Sequence, residues 1–218
     1  MNLGGVHLVT DRALCPLDRL GVVVDEAVRG GITAIHLRDR DLPARDMVRL
    51  AVSLREVIAG RALLFVNDRV DVALASAADG VQLGESSLPV ADARRVAGQR
   101  LLLGRSVHSL DGACRAADDG ADFVVLGTIF ASRSHPGQAG AGVALVRSVR
   151  DVVRVPIIAI GGIDERNAGE VMRAGADGVA VISAILGSDD VLAATRRLAA
   201  VVERGASRAG SSPLEGGQ

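Results

Sequence analysis

Short runs of apolar, β-branched residues alternate along the chain with longer stretches in which apolar residues return every three or four positions. The short runs predict strands at residues 6–9, 34–38, 62–66, 80–83, 101–106, 123–127, 157–160 and 178–182. Most are apolar without strict alternation, the pattern of parallel strands covered on both faces. The longer stretches, such as LGVVVDEAVRGG (20–31) and ARDMVRLAVSLREVIAG (44–60), read as amphipathic helices closed by glycine. Three strings, AADGVQLG (77–84), GADFVVLG (120–127) and GADGVAVIS (175–183), each join a helix end to a strand through Ala-Asp. Such a repeated unit predicts an α/β fold of the (β/α)8 TIM-barrel type, in a single domain over residues 1–204. A doubly wound open sheet is the alternative, but it calls for a glycine-rich dinucleotide fingerprint near the first strand, and none stands there.

The chain's 218 residues suit one such barrel. A domain of this size buries about 70% of the surface of its unfolded chain, so no disulfide or structural metal is needed for stability. A net charge of −1 gives no electrostatic basis for binding nucleic acid or an anionic membrane. Three Phe without Trp or Tyr offer no base-stacking platform. Cys15 and Cys114 form no metal-like cluster and read as reduced thiols. The start MNLGGVHLVTDR lacks signal-peptide character, and no apolar run approaches the roughly 20 residues of a membrane helix, so the expected location is cytoplasmic. There is no lysine, which excludes Schiff-base chemistry. Residues 128–142, rich in Gly, Ser and Ala, read as a mobile active-site loop, and 205–218 as a disordered tail.

Chemistry on a barrel of this kind sits at the carboxyl ends of the strands. Gly161-Gly162 end the seventh predicted strand, and Ile182-Ser183 end the eighth and open a short helix. Glycines there let backbone N–H groups approach an anion, and a helix start adds a favourable dipole, so the pair reads as a phosphate site; a plain tight turn is the alternative. His36 and Arg38 share one face of the second strand, where Arg38 seeks either an anion or a carboxylate such as Asp68. Asn67 and Asp68 end the third strand, and His108 follows the fifth. His108 suits acid–base work, or else is a helix-start or core histidine.

Taken in order, HLRDR (36–40), FVNDRVDVAL (65–74), ADGVQLGESS (78–87), GRSVHSL (104–110), GADFVVLGTIFASRS (120–134), VPIIAIGGI (155–163) and GADGVAVISAIL (175–186) resemble the thiamine phosphate synthase and thiazole tautomerase family. The resemblance runs from about His7 to Leu186. It implies a (β/α)8 barrel holding a thiazole phosphate at Gly162, Ile182 and Ser183. The synthase branch also binds a pyrimidine methyl diphosphate with magnesium. Its pattern has Gln, Arg and Lys after strand two, Asn-Asp after strand three, a second Asp after strand four, and Thr-x-Thr-Lys in the strand-six loop. Arg38, Asn67 and Asp68 match it. His36 replaces the Gln, Arg40 the Lys, Ser87 the second Asp (with Glu85 two residues earlier), and Ser132-Arg133-Ser134-His135 the loop motif. The tautomerase branch gives up the diphosphate site and carries H-x-R-x-R and GRSVHS segments close to those here. It also places a catalytic His just after the strand-six Gly, where this chain has Thr128.

The leading expectation from this resemblance is a thiazole tautomerase, an isomerase that aromatises a carboxythiazole phosphate without a metal. Its acid–base groups would be His36, kept neutral by nearby Arg38, and His108. Its substrate-binding set would be Arg38, Asn67, Thr128, Ser132, Ser134, Gly161, Gly162, Ile182 and Ser183. The alternative is a thiamine phosphate synthase joining pyrimidine methyl diphosphate to thiazole phosphate, with Mg2+ on Asp68. A non-catalytic phosphate-ligand binder, or an unrelated phosphate-binding isomerase on the same fold, are the remaining readings. The expected partner is a small phosphorylated thiazole, and the sequence is compatible with a homo-oligomer.

Overall fold

In a computed structural model that describes residues 3–131 and 139–209, eight parallel strands close into one barrel in chain order. They are β1 (Gly5–Val9), β2 (Ile32–Leu37), β3 (Leu63–Asn67), β4 (Gly80–Leu83), β5 (Leu102–Val107), β6 (Phe123–Leu126), β7 (Ile157–Ile160) and β8 (Gly178–Val181). All eight expected strands are present. Between them run α1 (Leu17–Gly30), α2 (Ala44–Ile58), α3 (Val70–Ala75), α4 (Val90–Ala97), α5 (Leu110–Asp118), α6 (Val143–Val152) and α7 (Ala168–Arg173), followed after β8 by α8 (Ser183–Leu186) and α9 (Val191–Ala209). The protein is thus a single-domain (β/α)8 barrel. Helix α9 runs through the boundary expected at residue 204, because its apolar positions continue to pack on α1 and α7. Residues 210–218 of the expected tail lie outside the described residues.

Two apolar layers hold the barrel. The larger lies between the strands and the ring of helices, where Leu20, Met47, Leu54, Leu64, Leu83, Leu103 and Leu126 are sealed from water. The smaller fills the barrel interior around Phe65, Phe123, Val125, Ile158 and Ala180. The two rings meet edge to face at 5.0 Å between centroids. Glycines make room for them: a Cβ on Gly80 would lie 2.6 Å from the Phe65 ring, and one on Gly104 2.2 Å from that of Phe123.

The repeated Ala-Asp strings have a structural cause. Each Asp lies at the foot of its strand and grips the preceding or following strand with backbone and side chain together. Leu64 N–H donates to Asp79 Oδ2 at 2.7 Å while Asp79 N–H donates to Leu64 O at 2.9 Å. Asp122 makes the same pair of bonds with Leu103, and Asp177 with Ile157. Two of these carboxylates also hold an arginine, Arg94–Asp122 at 2.6 Å and Arg150–Asp177 at 2.8 Å. The clasps stitch the floor of the barrel at β3, β5 and β7. Asp122→Ala is therefore expected to cost about 1–3 kcal/mol in chemical denaturation, since it strips a buried strand amide of its acceptor and Arg94 of its carboxylate.

Candidate functional site

The carboxyl ends of β2 to β5 bring cations, a carboxylate and amides to one side of the barrel mouth. Arg38 is half-buried just past β2, and its backbone is fixed by Thr10, whose Oγ1 accepts from Arg38 N–H at 2.8 Å and donates to Arg38 O at 3.2 Å. Neither Arg38 nor Arg40 has a carboxylate partner among the described residues, so the internal pair of Arg38 with Asp68 does not form. Asn67 closes β3, and its Oδ1 is buried without a hydrogen-bond partner among the described residues. Asp68 follows in the left-handed region at φ 63°, which turns its exposed carboxylate towards the loop after β4. Its Oδ1 accepts from Gly84 N–H at 2.8 Å and from the Ser87 hydroxyl. The β4 loop is held from the other side by Arg105, which donates to Leu88 O and Glu85 O, both at 3.2 Å. His108 binds the Gly127 carbonyl through Nδ1 and places Nε2 3.7 Å from the Glu85 carboxylate.

The opposite side of the mouth is built from β6, β7 and β8. The chain after β6 folds back onto the end of β7: Ile129 N–H donates to Ile160 O at 2.9 Å and Phe130 N–H to Gly161 O at 3.0 Å. Thr128 lies half-buried within this return. Gly161 (φ 103°) and Gly162 (φ 61°) are both left-handed. A Cβ on Gly161 would lie 2.5 Å from Thr128 Cγ2, and one on Gly162 2.5 Å from the Ala131 carbonyl. The glycine pair is thus required first by the close approach of the β6 loop, a reason the sequence does not display. The Gly162 carbonyl accepts from Asn167 Nδ2 at 2.9 Å, and its N–H donates to no group among the described residues. Ile182 leads directly from β8 into α8, which starts at Ser183. Ser132, Ser134 and His135, in the 132–138 part of the expected mobile loop, lie outside the described residues.

The histidines do not gather at the mouth as expected. His36 is 1% exposed and lies inside the barrel, stacked on Phe65 at 5.0 Å and bound through Nε2 to His7 Nδ1 at 3.0 Å. His7 is fully buried, and its Nε2–H donates to the Leu3 carbonyl at 2.9 Å. Burial lowers the pKa of His7 to about 4. Burial, then the neighbouring His7, push His36 well below its ordinary value, so Arg38 is not the cause of its neutrality. The strand register, Val9 opposite His36 and His7 opposite Ala34, brings the two rings together.

Comparison with known proteins gives this geometry a context. The family model described as thiamine monophosphate synthase matches residues 6–185. The chain is 45% identical over 199 residues to the thiamine-phosphate synthase of Chloroflexus aurantiacus, covering 90% of this chain and 92% of that one. It is 49% identical over 174 residues to that of Methanoculleus marisnigri, covering 79% and 82%. The solved thiamine phosphate pyrophosphorylase of Pyrococcus furiosus superposes with a TM-score of 0.86 at 40% identity, over 94% of this chain and 98% of that chain. A 3-hexulose-6-phosphate synthase, at 19% identity and a TM-score of 0.74, shares the fold alone. These relatives overturn the expected thiazole tautomerase, and the isomerase class with it, in favour of the synthase alternative. The physical reasons agree with the correction. Thr128 carries no group that titrates near neutrality, and His36 has its Nε2 engaged by His7 in a sealed core where it cannot exchange protons with the mouth. Among the described residues no helix is long and apolar enough to cross a membrane.

Two outcomes follow from this geometry. Gly162→Ala should weaken binding of inorganic phosphate or a phosphorylated thiazole at least about tenfold in calorimetry, because the added Cβ drives the β6 loop from its place. The buried histidine pair should make the fold acid-sensitive. Both rings stay neutral when folded and take up protons once unfolded, so stability is full above about pH 6.5 and falls as the pH drops towards 4. The slope approaches about 1.4 kcal/mol per pH unit for each neutral histidine. Denaturation midpoints of the wild type and of His7→Phe across that range, the latter with the shallower fall, provide the check.

Proposed function

This chain belongs to the thiamine monophosphate synthase family, and from that membership we propose that it is a transferase making thiamine phosphate from a pyrimidine methyl diphosphate and a thiazole phosphate. The observation that carries the reading is the Asp68 turn, where one exposed carboxylate is held by Gly84 and Ser87 at the strand ends that also carry Arg38 and Arg40, neither with a carboxylate partner among the described residues. In this reaction the bond between the methylene carbon and the diphosphate oxygen breaks. The thiazole nitrogen then forms the new C–N bond. The leaving group is an anion, so cations that neutralise it lower the barrier, and no proton donor is needed. Arg38 and Arg40 supply fixed charge at that point. Gly162 N–H, Ile182 and Ser183 at the opposite rim are assigned to the thiazole phosphate, with Gly161 shaping the turn. Thr128, Ser132 and Ser134 are assigned to substrate binding.

Magnesium fits the residues present in a limited way. Among the described residues no group of three or more His, Cys, Asp or Glu could hold a metal. Asp68 has one oxygen engaged by Gly84 and Ser87, while Oδ2 has no hydrogen-bond partner among the described residues. A single carboxylate is too small a donor set to bind magnesium alone, but it suits an ion that shares its coordination with substrate phosphates. Asp68 would hold it, assisted by the Ser87 hydroxyl, and the ion would supply positive charge to the departing diphosphate. The rest of the work falls to the chain itself: Arg105 keeps the β4 loop in place, and Asn67, with its buried Oδ1 unpartnered among the described residues, is assigned to substrate binding.

The test is incubation of the protein with both substrates, with and without magnesium, followed by chromatography for thiamine phosphate. Product is expected only with magnesium, and Asp68→Asn should abolish it. Ser87→Asp adds a second carboxylate beside the first and should lower the magnesium concentration for half-maximal rate about tenfold. Conversion that proceeds equally in a chelator, or no conversion under any condition, would overturn the proposed reaction.

A further inference from the structure

The proposed reaction needs no proton donor, which leaves His108 at the rim without a proton to move. Its backbone is nonetheless fixed on both sides. Val107 before it is buried at the end of β5, and Ser109 after it caps α5, its Oγ accepting from Gly112 N–H at 3.1 Å. The imidazole is therefore a short strut on a rigid base. One end meets the Gly127 carbonyl, and the other lies 3.7 Å from the Glu85 carboxylate. A carbonyl can only accept, so Nδ1 carries a proton and donates it. The two ends are unequal. The Glu85 side chain is 68% exposed, and an ion pair in that setting contributes little. Gly127 is buried, so the bond to its carbonyl is the stronger one.

Gly127 is the root of the return that follows β6. Its N–H donates to Val107 O at 3.1 Å, so Val107 and His108 together hold both polar groups of one residue, as the aspartate clasps do at the floor. Its remaining side is closed as well, since a Cβ there would lie 2.6 Å from Ile160 O. A peptide group is planar, so a carbonyl held by His108 sets the direction in which Thr128 leaves. From there Ile129 and Phe130 bond to the end of β7, and Thr128 O accepts from Ala141 N–H at 3.0 Å. Thr128 Cγ2 and the Ala131 carbonyl stand where Gly161 and Gly162 leave room. The β6 return is thus the wall of the glycine pair. Among the described residues His108 supplies the one side-chain hydrogen bond to residues 127–131, where every other bond is backbone to backbone. Without it a buried carbonyl loses its donor, and the peptide turns to recover one.

We propose that His108 is a positioning residue that fixes the Gly127 carbonyl, and through it the β6 return, so that the glycine pair after β7 keeps the shape that binds a phosphorylated thiazole. The identity of that ligand rests on the synthase reading, whereas the hold of His108 on the return does not. Glu85 is a secondary partner, and the donor at Nδ1 is the feature that matters.

Amide hydrogen exchange on the full chain reads the hold directly. His108→Ala should speed exchange at Ile129 and Phe130 at least about tenfold and leave the floor amides of Leu64, Leu103 and Ile157 at their wild-type rates. Calorimetry with inorganic phosphate and with a phosphorylated thiazole should show binding about tenfold weaker in His108→Ala, the scale of one hydrogen bond. His108→Asn, whose Nδ2 stands where Nδ1 stood, should restore both readouts, and His108→Leu should not. Glu85→Gln should change either readout by less than about twofold. In turnover, His108→Ala should raise KM for the thiazole phosphate and keep KM for the pyrimidine methyl diphosphate within about twofold. Unaltered exchange at Ile129 and Phe130, unaltered phosphate affinity, equal losses in His108→Ala and His108→Asn, or equally faster exchange at the floor amides would overturn the proposal. A protein that makes no thiamine phosphate, yet loses phosphate affinity in His108→Ala and regains it in His108→Asn, would overturn the synthase reading and leave the hold of His108 standing.

Discussion

The clasp between an aspartate at the foot of one strand and the backbone of its neighbour is the interaction on which the rest of this barrel depends. A parallel sheet closes only if every strand starts at the correct height, and a slip of one residue would turn each interior side chain outwards. Asp79, Asp122 and Asp177 prevent that slip by filling both the donor and the acceptor of a strand's first or second residue. With the floor set, the heights of the carboxyl ends are set too. Asp68 then reaches Gly84, Arg105 reaches the β4 loop, and the β6 return reaches Gly161. The floor carries the stability and the rim carries the chemistry, and two of the three clasps also pair a carboxylate with an arginine, Asp122 with Arg94 and Asp177 with Arg150.

Much of this fold is legible in the chain because hydrophobic periodicity is a local property. The eight strands, the closing glycines and the Ala-Asp repeat all announce themselves within windows of about ten residues. The meaning of the repeat does not, since a carboxylate's partner lies fifteen or more positions away: Asp79 bonds Leu64 and Asp122 bonds Leu103. The same limit applies to the site. Asn67 and Asp68 are recognisable as strand-end polar groups, whereas the capture of Asp68 by Ser87 depends on how the β4 loop folds back. Gly161 and Gly162 stand out as an anion-binding pattern, yet their Cβ positions are occupied by Thr128 and Ala131. A glycine required by packing and one required by a ligand look alike in sequence.

The histidines show why the tautomerase expectation failed. A histidine at a strand end reads as a proton shuttle when only its own strand is considered. Whether it can exchange protons depends on the residue beside it on the previous strand, and here that residue lies 29 positions earlier. With Nε2 committed to His7 and the ring pressed on Phe65, His36 is an element of the interior whose charge state does not respond to the solvent. The motif was shared with the tautomerase branch, while the chemistry was decided by burial.

Burial also explains how one chain can carry so many ionisable groups at its mouth without losing its shape. Two of the buried polar atoms that lack hydrogen-bond partners among the described residues, Asn67 Oδ1 and Gln82 Oε1, lie on β3 and β4, next to one another in the sheet. Gln82 is held by its Nε2–H, which donates to Ser106 Oγ at 3.0 Å. An amide on a rigid strand cannot turn to find water, so its unmet hydrogen-bonding capacity is stored until a ligand of the right donor pattern arrives. The cations of half-buried Arg38 and exposed Arg40 work differently, since they reach solvent and draw any phosphorylated molecule to the rim. The rim therefore supplies attraction with little discrimination, and the strand interior supplies discrimination with little attraction. That division places specificity in the residues whose positions the barrel floor determines.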